Sequence, residues 1–504
     1  MSRMQCDGEL SARPQLHDRR GGRHDDKDGR ERMSGECVDL VVVGAGPGGV
    51  SAAVCAAECG LNVVLLDRYD HAGGQIHRAL SVAQREHAPG HFSSPGDALR
   101  ARLRSSTVRH VPRATVWNVE PGPSVHWRDA TTLRRTSTRA LILATGASET
   151  VPCIPGGTLP GVFGLAAATI LLKQDGRILG ASPVLAGAGP LLYLLAAAYL
   201  KHGVRPAAIV DRASIRSWAA TLPRLAATPA EAARGAFWYA RVRWSGVPIY
   251  HEAAVVRVEG AEQVERVIIN GPGLVGAVTA IPAEALALGV GLSANSHATQ
   301  VAGAAHEFDA SLMSWLPLRT PNMETTVPNV YAVGECAGIS GSRIAIIEGE
   351  VAALDVAAHL LPQCRRQING RLARARRRLL RARISARAVG TMIRFPDTAE
   401  VRSLDSRAIV CRCEDVTVAE LLADIDAGAV DLHELKMRTR CGMGPCQGKI
   451  CAPWATAIMA TRTGRPPGEI AAHMQRPPIE PLPISIATAA WWNDHPAAHD
   501  ALPV

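Results

Sequence analysis

Val38-Asp39-Leu40-Val41-Val42-Val43-Gly44-Ala45-Gly46-Pro47-Gly48-Gly49 is the stretch that decides the fold. Its apolar, β-branched run reads as a parallel strand buried on both faces. Gly44, Gly46 and Gly49 then follow at the spacing of a dinucleotide-binding turn that opens a helix. Gly44 permits the tight turn, and Gly46 lets the backbone approach a pyrophosphate. Gly49 lets the helix pack close to the strand. Pro47 and Gly48 lie inside the same turn and belong to the site, where free helix N–H groups face the phosphates. The next strand, Leu61–Leu66, ends at Asp67, 23 residues after Gly44. A carboxylate there takes the ribose hydroxyls of an adenosine. Arg68, beside it, is counted with the site.

A second strand–glycine–helix unit spans 183–211. Val184-Leu-Ala-Gly187-Ala-Gly189-Pro-Leu-Leu192 keeps the first two glycines, but Leu192 replaces the third. Its side chain is expected to push helix from strand and impair or abolish NAD(P) binding. Asp211, 24 residues after Gly187, stands at the ribose position. The fold class expected is α/β: two Rossmann-like dinucleotide-binding units, the second inserted in the first, plus a small helical Cys-rich domain.

At roughly 150 residues per domain, 504 residues make about three domains. The 47% hydrophobic and 20% charged content fits a folded chain. Aromatics are only 4% and net charge is +9, much of it in one Arg-rich run, so nucleic acid is not implied. Twelve Cys are too few for a disulfide scaffold, and five of them fall between Cys411 and Cys451. The longest apolar run, Val184–Leu200, is too short to span a membrane, and no transmembrane segment is expected. Residues 1–36 hold no signal-peptide core. The expected location is cytoplasmic, with peripheral membrane contact through the electron acceptor left open.

The expected divisions are a disordered tail at 1–36, a first dinucleotide-binding domain at 37–160 and 295–362, and a degenerate NAD(P)-type domain at 161–294. An Arg-rich helical linker follows at 363–404, a Cys-rich domain at 405–465, and a Pro-rich tail at 466–504. The linker carries ten Arg between 365 and 387, with Leu372, Ala375, Leu379, Ala382 and Ala386 at helical spacing. That pattern reads as a solvated amphipathic helix, with a partner-docking face as the alternative. The Pro-rich tail reads as extended and able to wrap a partner.

Three further segments resemble the two-dinucleotide-binding-domain flavoprotein family. Gly73-Gly74-Gln75 is similar to the loop beneath the flavin. Leu141-Ile-Leu-Ala-Thr145-Gly146 is similar to that family's Ala-Thr-Gly strand end. Asn329-Val-Tyr-Ala-Val-Gly334-Glu335 is similar to its second flavin motif, with Glu335 where Asp is common. The resemblance covers 38–360 and implies bound FAD, held by Gly74, Gln75, Thr145, Gly146, Gly334 and Glu335 besides the first turn. Cys55 and Cys59 sit at i and i+4 on the first helix, outside the placements that disulfide reductases use, and Cys153 and Cys336 are single. A dithiol mechanism is not expected.

Cys411-Arg-Cys413 and Cys441-Gly-Met-Gly-Pro-Cys446-Gln-Gly-Lys-Ile-Cys451 offer five thiols for four ligand places. Such a set holds zinc or an iron–sulfur cluster. The layout resembles the domain of bacterioferritin-associated ferredoxin, which implies a 2Fe-2S cluster. The first pair is Cys411 and Cys413. The second is Cys446 with Cys451, preferred for the ferredoxin-like spacing, or Cys441 with Cys446.

The whole order of parts is similar to alpha-type subunits of opine oxidases, D-hydroxyproline dehydrogenases and hydrogen cyanide synthase. That resemblance implies an electron-transfer subunit serving a beta-type flavin oxidase partner, glycine/sarcosine oxidase-like. The partner would oxidise an amine or imino acid. A stand-alone NAD(P)H-dependent oxidoreductase is the alternative. No catalytic residue is identified. His71, His77 and His87 are read as structural or surface groups, and Arg78 and Arg343 as charges near the flavin.

Overall fold

The computed structural model describes residues 38–81, 95–216, 218, 229–272, 278–390, 395–473 and 475–488. The expected tail at 1–36, His87 and the chain beyond 488 lie outside the described residues.

The first sheet holds β1 (Val38–Val43), β2 (Val63–Leu66), β3 (Arg109–Val111), β4 (Thr115–Glu120), β5 (Ser124–Arg128) and β6 (Leu133–Leu143). Their order is β3-β2-β1-β6-β5-β4. Strand β1 runs parallel to both neighbours, and Leu40 to Val42 are fully buried, as a strand covered on both faces requires. Helix α1 (Pro47–Glu58) rises from its carboxyl end. The chain then leaves this sheet through β7 (Ala147–Glu149).

The second sheet is wholly parallel and contains β8 (Val162–Gly164), β9 (Val184–Gly187), β10 (Ala208–Asp211), β11 (Ile249–His251) and, beyond a three-stranded antiparallel meander of β12 (Ala254–Glu259), β13 (Arg266–Asn270) and β14 (Thr279–Pro282), β15 (Leu286–Leu288). Helices α2 (Leu165–Asp175) and α3 (Pro190–Lys201) cover it. The chain returns along β16 (Leu292–Ala294), antiparallel to β7. After a hairpin of β17 (His306–Asp309) and β18 (Ser314–Pro317), β19 (Val330–Ala332) pairs with β6 and rejoins the first sheet. The second Rossmann-like unit is thus inserted in the first.

Helix α4 (Ser342–Leu360) lies on α1, and a Cβ on its Gly349 would stand 2.1 Å from the Gly48 carbonyl oxygen. The Arg-rich segment forms α5 (Arg365–Gly390). Its apolar stripe, Ile368, Leu372, Ala375, Leu379 and Ala382, is buried in the core that α1 and α4 share. The arginines turn outward or pair. Arg378 meets Glu350 at 2.9 Å, and Arg371 points at the buried sulfurs of Cys55 and Cys59. Those two thiols are therefore core groups.

The cysteine-rich unit consists of β20 (Ile409–Cys411), β21 (Val416–Thr417), α6 (Val418–Asp426), α7 (Leu432–Thr439) and α8 (Ala452–Thr463). Thr417 and Glu420 close a capping box at the start of α6, and Asp431 caps α7. The core of this unit extends into the β7–β16 region, where Cys153 and Val290 pack with Trp454 and Ile458. Trp454 Nε1 donates to the Val151 carbonyl at 2.9 Å. The Pro-rich tail was expected to be extended and able to wrap a partner. Instead its described part lies on the chain's own body: Ile479 is buried against the first sheet and its N–H donates to the Trp117 carbonyl.

Candidate functional site

The first turn is built by contacts that only glycine allows. Gly44 has φ +99°, and a Cβ there would meet the Ala144 carbonyl oxygen at 2.4 Å. A Cβ on Gly49 would stand 1.8 Å from the Gly44 oxygen, so helix and strand touch backbone to backbone. Gly46 differs: its nearest neighbour would be Gly74 Cα at 3.9 Å. It faces open space, where a pyrophosphate approaches. Pro47 is the first residue of α1.

Asp67 is buried at the end of β2, where the backbone N–H groups of Ala45 and Tyr69 donate to its two oxygens. Burial pushes its pKa up, against those bonds. Arg68 points elsewhere and forms a bidentate pair with Glu480 of the tail, at 3.3 and 3.2 Å. Gln75 is held by the Tyr69 hydroxyl and by Arg78, which lies 4.0 Å over the Tyr69 ring. Thr145 Oγ1 donates to the Asn295 carbonyl at 2.7 Å, and Gly146 turns with φ +73°. Gly334 N–H is held at 2.8 Å by Glu348, a buried acid that also pairs with Arg319 and Arg383. Glu348 was missed in the sequence because its partners come from three separate segments. Glu335 has no hydrogen-bond partner among the described residues, and burial raises its pKa. A half-buried acid without a donor among the described residues, and a Gly46 that faces open space, fit the hydroxyl and phosphate groups of FAD. Among the expected histidines, His77 is partly buried and its pKa is lowered by burial, while its carbonyl accepts from Arg100. His71 is exposed.

The second unit differs at each corresponding point. Leu192 was expected to hold helix from strand. It is fully buried among Leu165, Leu172, Tyr193 and Leu195, so it fills the start of α3. Asp211 is fully buried. It accepts from Tyr193 at 2.6 Å, Ala213 N–H at 2.9 Å and Trp218 at 3.3 Å, with His251 at 3.7 Å. The buried Tyr193 hydroxyl has a raised pKa, from burial and then the Asp211 charge. Glu149, at the end of β7, accepts the N–H groups of Ala166 and Ala167 at the start of α2. Burial lifts its pKa to about 7.

All five cysteines of the C-terminal unit converge. The sulfurs of Cys411, Cys441 and Cys451 lie within 4.8 Å of one another. Cys413 is exposed and hydrogen-bonds with Cys446 beside them. A Cβ on Gly444 would strike that of Cys413 at 2.1 Å, so this glycine makes room for the pair. The sequence preference set Cys441 aside, whereas the fold brings it into the triple. Cys411 accepts from the thiols of Cys441 and Cys451, then from the N–H groups of Gly442 and Glu414, and its pKa falls well below that of a free thiol. The same bond pushes Cys441 up to about 12. A thiolate held by backbone donors, with a second thiol pair adjoining, can hold zinc or an iron–sulfur cluster.

A glycine cradle on a twice-wound parallel core defines a flavin-dependent oxidoreductase. Residues 38–359 match the family of pyridine nucleotide-disulphide oxidoreductases, and the chain belongs to that family, with FAD as its cofactor. Residues 405–491 match the sarcosine oxidase A3 domain. Within this class the chain is similar to the A subunit of opine oxidase from Rhizobium meliloti (strain 1021), 32% identical over 88% of this chain and 97% of that one. It is also similar to hydrogen cyanide synthase subunit HcnB of Pseudomonas aeruginosa, 28% identical over 88% of this chain and 97% of that one. L-proline dehydrogenase from P. horikoshii shares the fold, with a TM-score of 0.64 at 18% identity over 89% of this chain and 79% of that one.

Proposed function

We propose that this chain is the FAD- and 2Fe-2S-containing electron-transfer subunit of a heteromeric dehydrogenase for an amino or imino acid or an opine-type secondary amine. A beta-type flavin oxidase subunit would oxidise the C–N bond and pass the electrons on. When bound, FAD takes electrons in pairs and an iron–sulfur cluster passes them singly. The observation that best supports the relay is the seat of the cysteine cup. It packs on the segments flanking β7 and β16, through Trp454 and Cys153, and Thr145 of the flavin cradle bonds to Asn295 just past β16. The names of the relatives support a subunit role. The alternative, a stand-alone NAD(P)H-dependent oxidoreductase, needs a nucleotide site in the second unit, and Leu192 and the enclosed Asp211 oppose one.

We take Cys411, Cys413, Cys446 and Cys451 as ligands. Cys413 with Cys446 would serve one iron, and Cys411 with Cys451 the other. Cys451 is favoured over Cys441 for the ferredoxin-like spacing it gives the second pair with Cys446. Cys441→Ser then keeps the cluster's visible absorption and EPR signal, whereas Cys413→Ser bleaches both. Bleaching by Cys441→Ser reverses the assignment. The sequence divisions given above are proposed as the domains. A cytoplasmic location is proposed as well; no helix among the described residues is long and apolar enough to cross a membrane. The deciding experiment is co-expression with the oxidase-like product of a neighbouring gene, followed by a panel of amines and imino acids with an artificial acceptor. Failure to co-purify, with no turnover on the panel, overturns the proposal.

A further inference from the structure

Behind the cysteine cup lies a small cavity between the C-terminal unit and the stretch from β16 to β18, lined by His297, Gln447, Gly448, Lys449, His473 and Ser296. Lys449 is paired with Glu480 at 2.7 Å. His297 Nδ1 and Gln447 Oε1 lack a partner among the described residues, and at His473, only 5% exposed, both ring nitrogens do. Leaving a buried donor unpaired is costly, so such a group calls for an explanation. Burial pushes the His473 pKa down to about 4, so the ring is neutral and has one N–H to give.

The cup loop is shaped around this ring. A Cβ on Gly442 would stand 2.8 Å from His473 Nε2, and one on Gly448 would stand 3.0 Å from Cδ2. Both glycines have positive φ, +90° and +83°. Gly442 follows Cys441, and Gly448 lies between Cys446 and Cys451. The Gly442 N–H is itself a donor to Cys411 sulfur. His473 Nε2 therefore lies against the turn that delivers a hydrogen bond to the cup.

We infer that His473 Nε2–H donates a hydrogen bond to a sulfur of the cluster held in this cup, and so sets its reduction potential. This rests on the 2Fe-2S reading above. A donor to cluster sulfur stabilises the more negative, reduced state, so its removal makes reduction harder. The full-length chain, purified anaerobically and reconstituted with iron and sulfide, is compared with H473L and H473Q by redox titration and EPR. The expected result for H473L is about a tenfold smaller reduction equilibrium constant, roughly 59 mV for one electron, with an altered EPR line shape. H473Q, whose amide restores a donor, recovers most of both. Unchanged potential and line shape in H473L overturn the inference while the cluster reading stands. A wild-type protein with no iron–sulfur signal overturns the cluster reading itself. If H473L does not assemble a cluster, pulsed EPR of the wild type with isotopically labelled histidine decides: a resolved histidine coupling supports the bond, and its absence refutes it.

Discussion

The two Rossmann-like units start from nearly the same sentence of sequence and end as different objects. In the first, Gly49 lets α1 lie on β1, Gly46 looks into open space, and Asp67 is held by two backbone donors alone. In the second, Leu192 fills the position of Gly49, and Asp211 is enclosed by Tyr193, Trp218 and His251. The carboxylate of Glu149 occupies the α2 N-terminus, a place that suits an anion. One βαβ frame can thus present an open glycine turn or a filled one, and an acid with an open side or an enclosed one.

The strongest test of this contrast is to write the second unit's residue into the first. Gly49→Leu forces a side chain against the Gly44 carbonyl oxygen. It is expected to abolish bound flavin and cost more than about 4 kcal/mol. Absorbance of the purified protein and a melting curve check it, and a yellow, stable variant would erase the distinction between the units. The reverse swap, Leu192→Gly, removes a fully buried side chain and adds a helical glycine. It is expected to cost about 4 kcal/mol without enabling flavin reduction by NADH, because Asp211 stays enclosed. Rapid reduction by NADH would show that Leu192 alone disables the site.

A gentler substitution separates folding from binding. Gly46 has φ −71° and ψ −179°, which alanine adopts freely, and its added Cβ meets nothing closer than 3.9 Å. Gly46→Ala is expected to melt within about 0.5 kcal/mol of wild type. Its methyl occupies the pyrophosphate approach, so FAD binds at least tenfold more weakly, about 1.4 kcal/mol. Unchanged affinity would move the phosphates away from Gly46.

The turn, the two strands and the apolar stripe of α5 were legible in the sequence because each is a local pattern with one physical reading. Leu372, Ala375 and Leu379 fall on one helical face wherever that helix is placed. The enclosure of Asp211 was not legible, since Tyr193, Trp218 and His251 reach it from separate elements. The same holds for Cys441. Spacing ranked it below Cys451, yet the turn at Arg440, with φ +66°, brings its sulfur to Cys411. Arg68 was read with the adenosine acid, but its partner Glu480 lies 412 residues away in the tail. Partners so remote leave no local trace.

A pH effect concerns Glu149, and its sign follows from linkage. Its pKa is about 7 in the folded chain against 4.5 for an ordinary glutamate, because burial outweighs the bonds from Ala166 and Ala167. The folded protein therefore holds a proton that the unfolded chain has released. Stability from this group is present below pH 4.5 and declines as pH rises towards 7. Part of the side chain remains accessible, which discounts the loss to on the order of 1–2 kcal/mol. Glu149→Gln removes the titration and is expected to flatten this decline, as measured by denaturant unfolding across that pH range. If the slope survives the substitution, another group causes it. The α2 N-terminus would then be held by an ordinary ionised carboxylate.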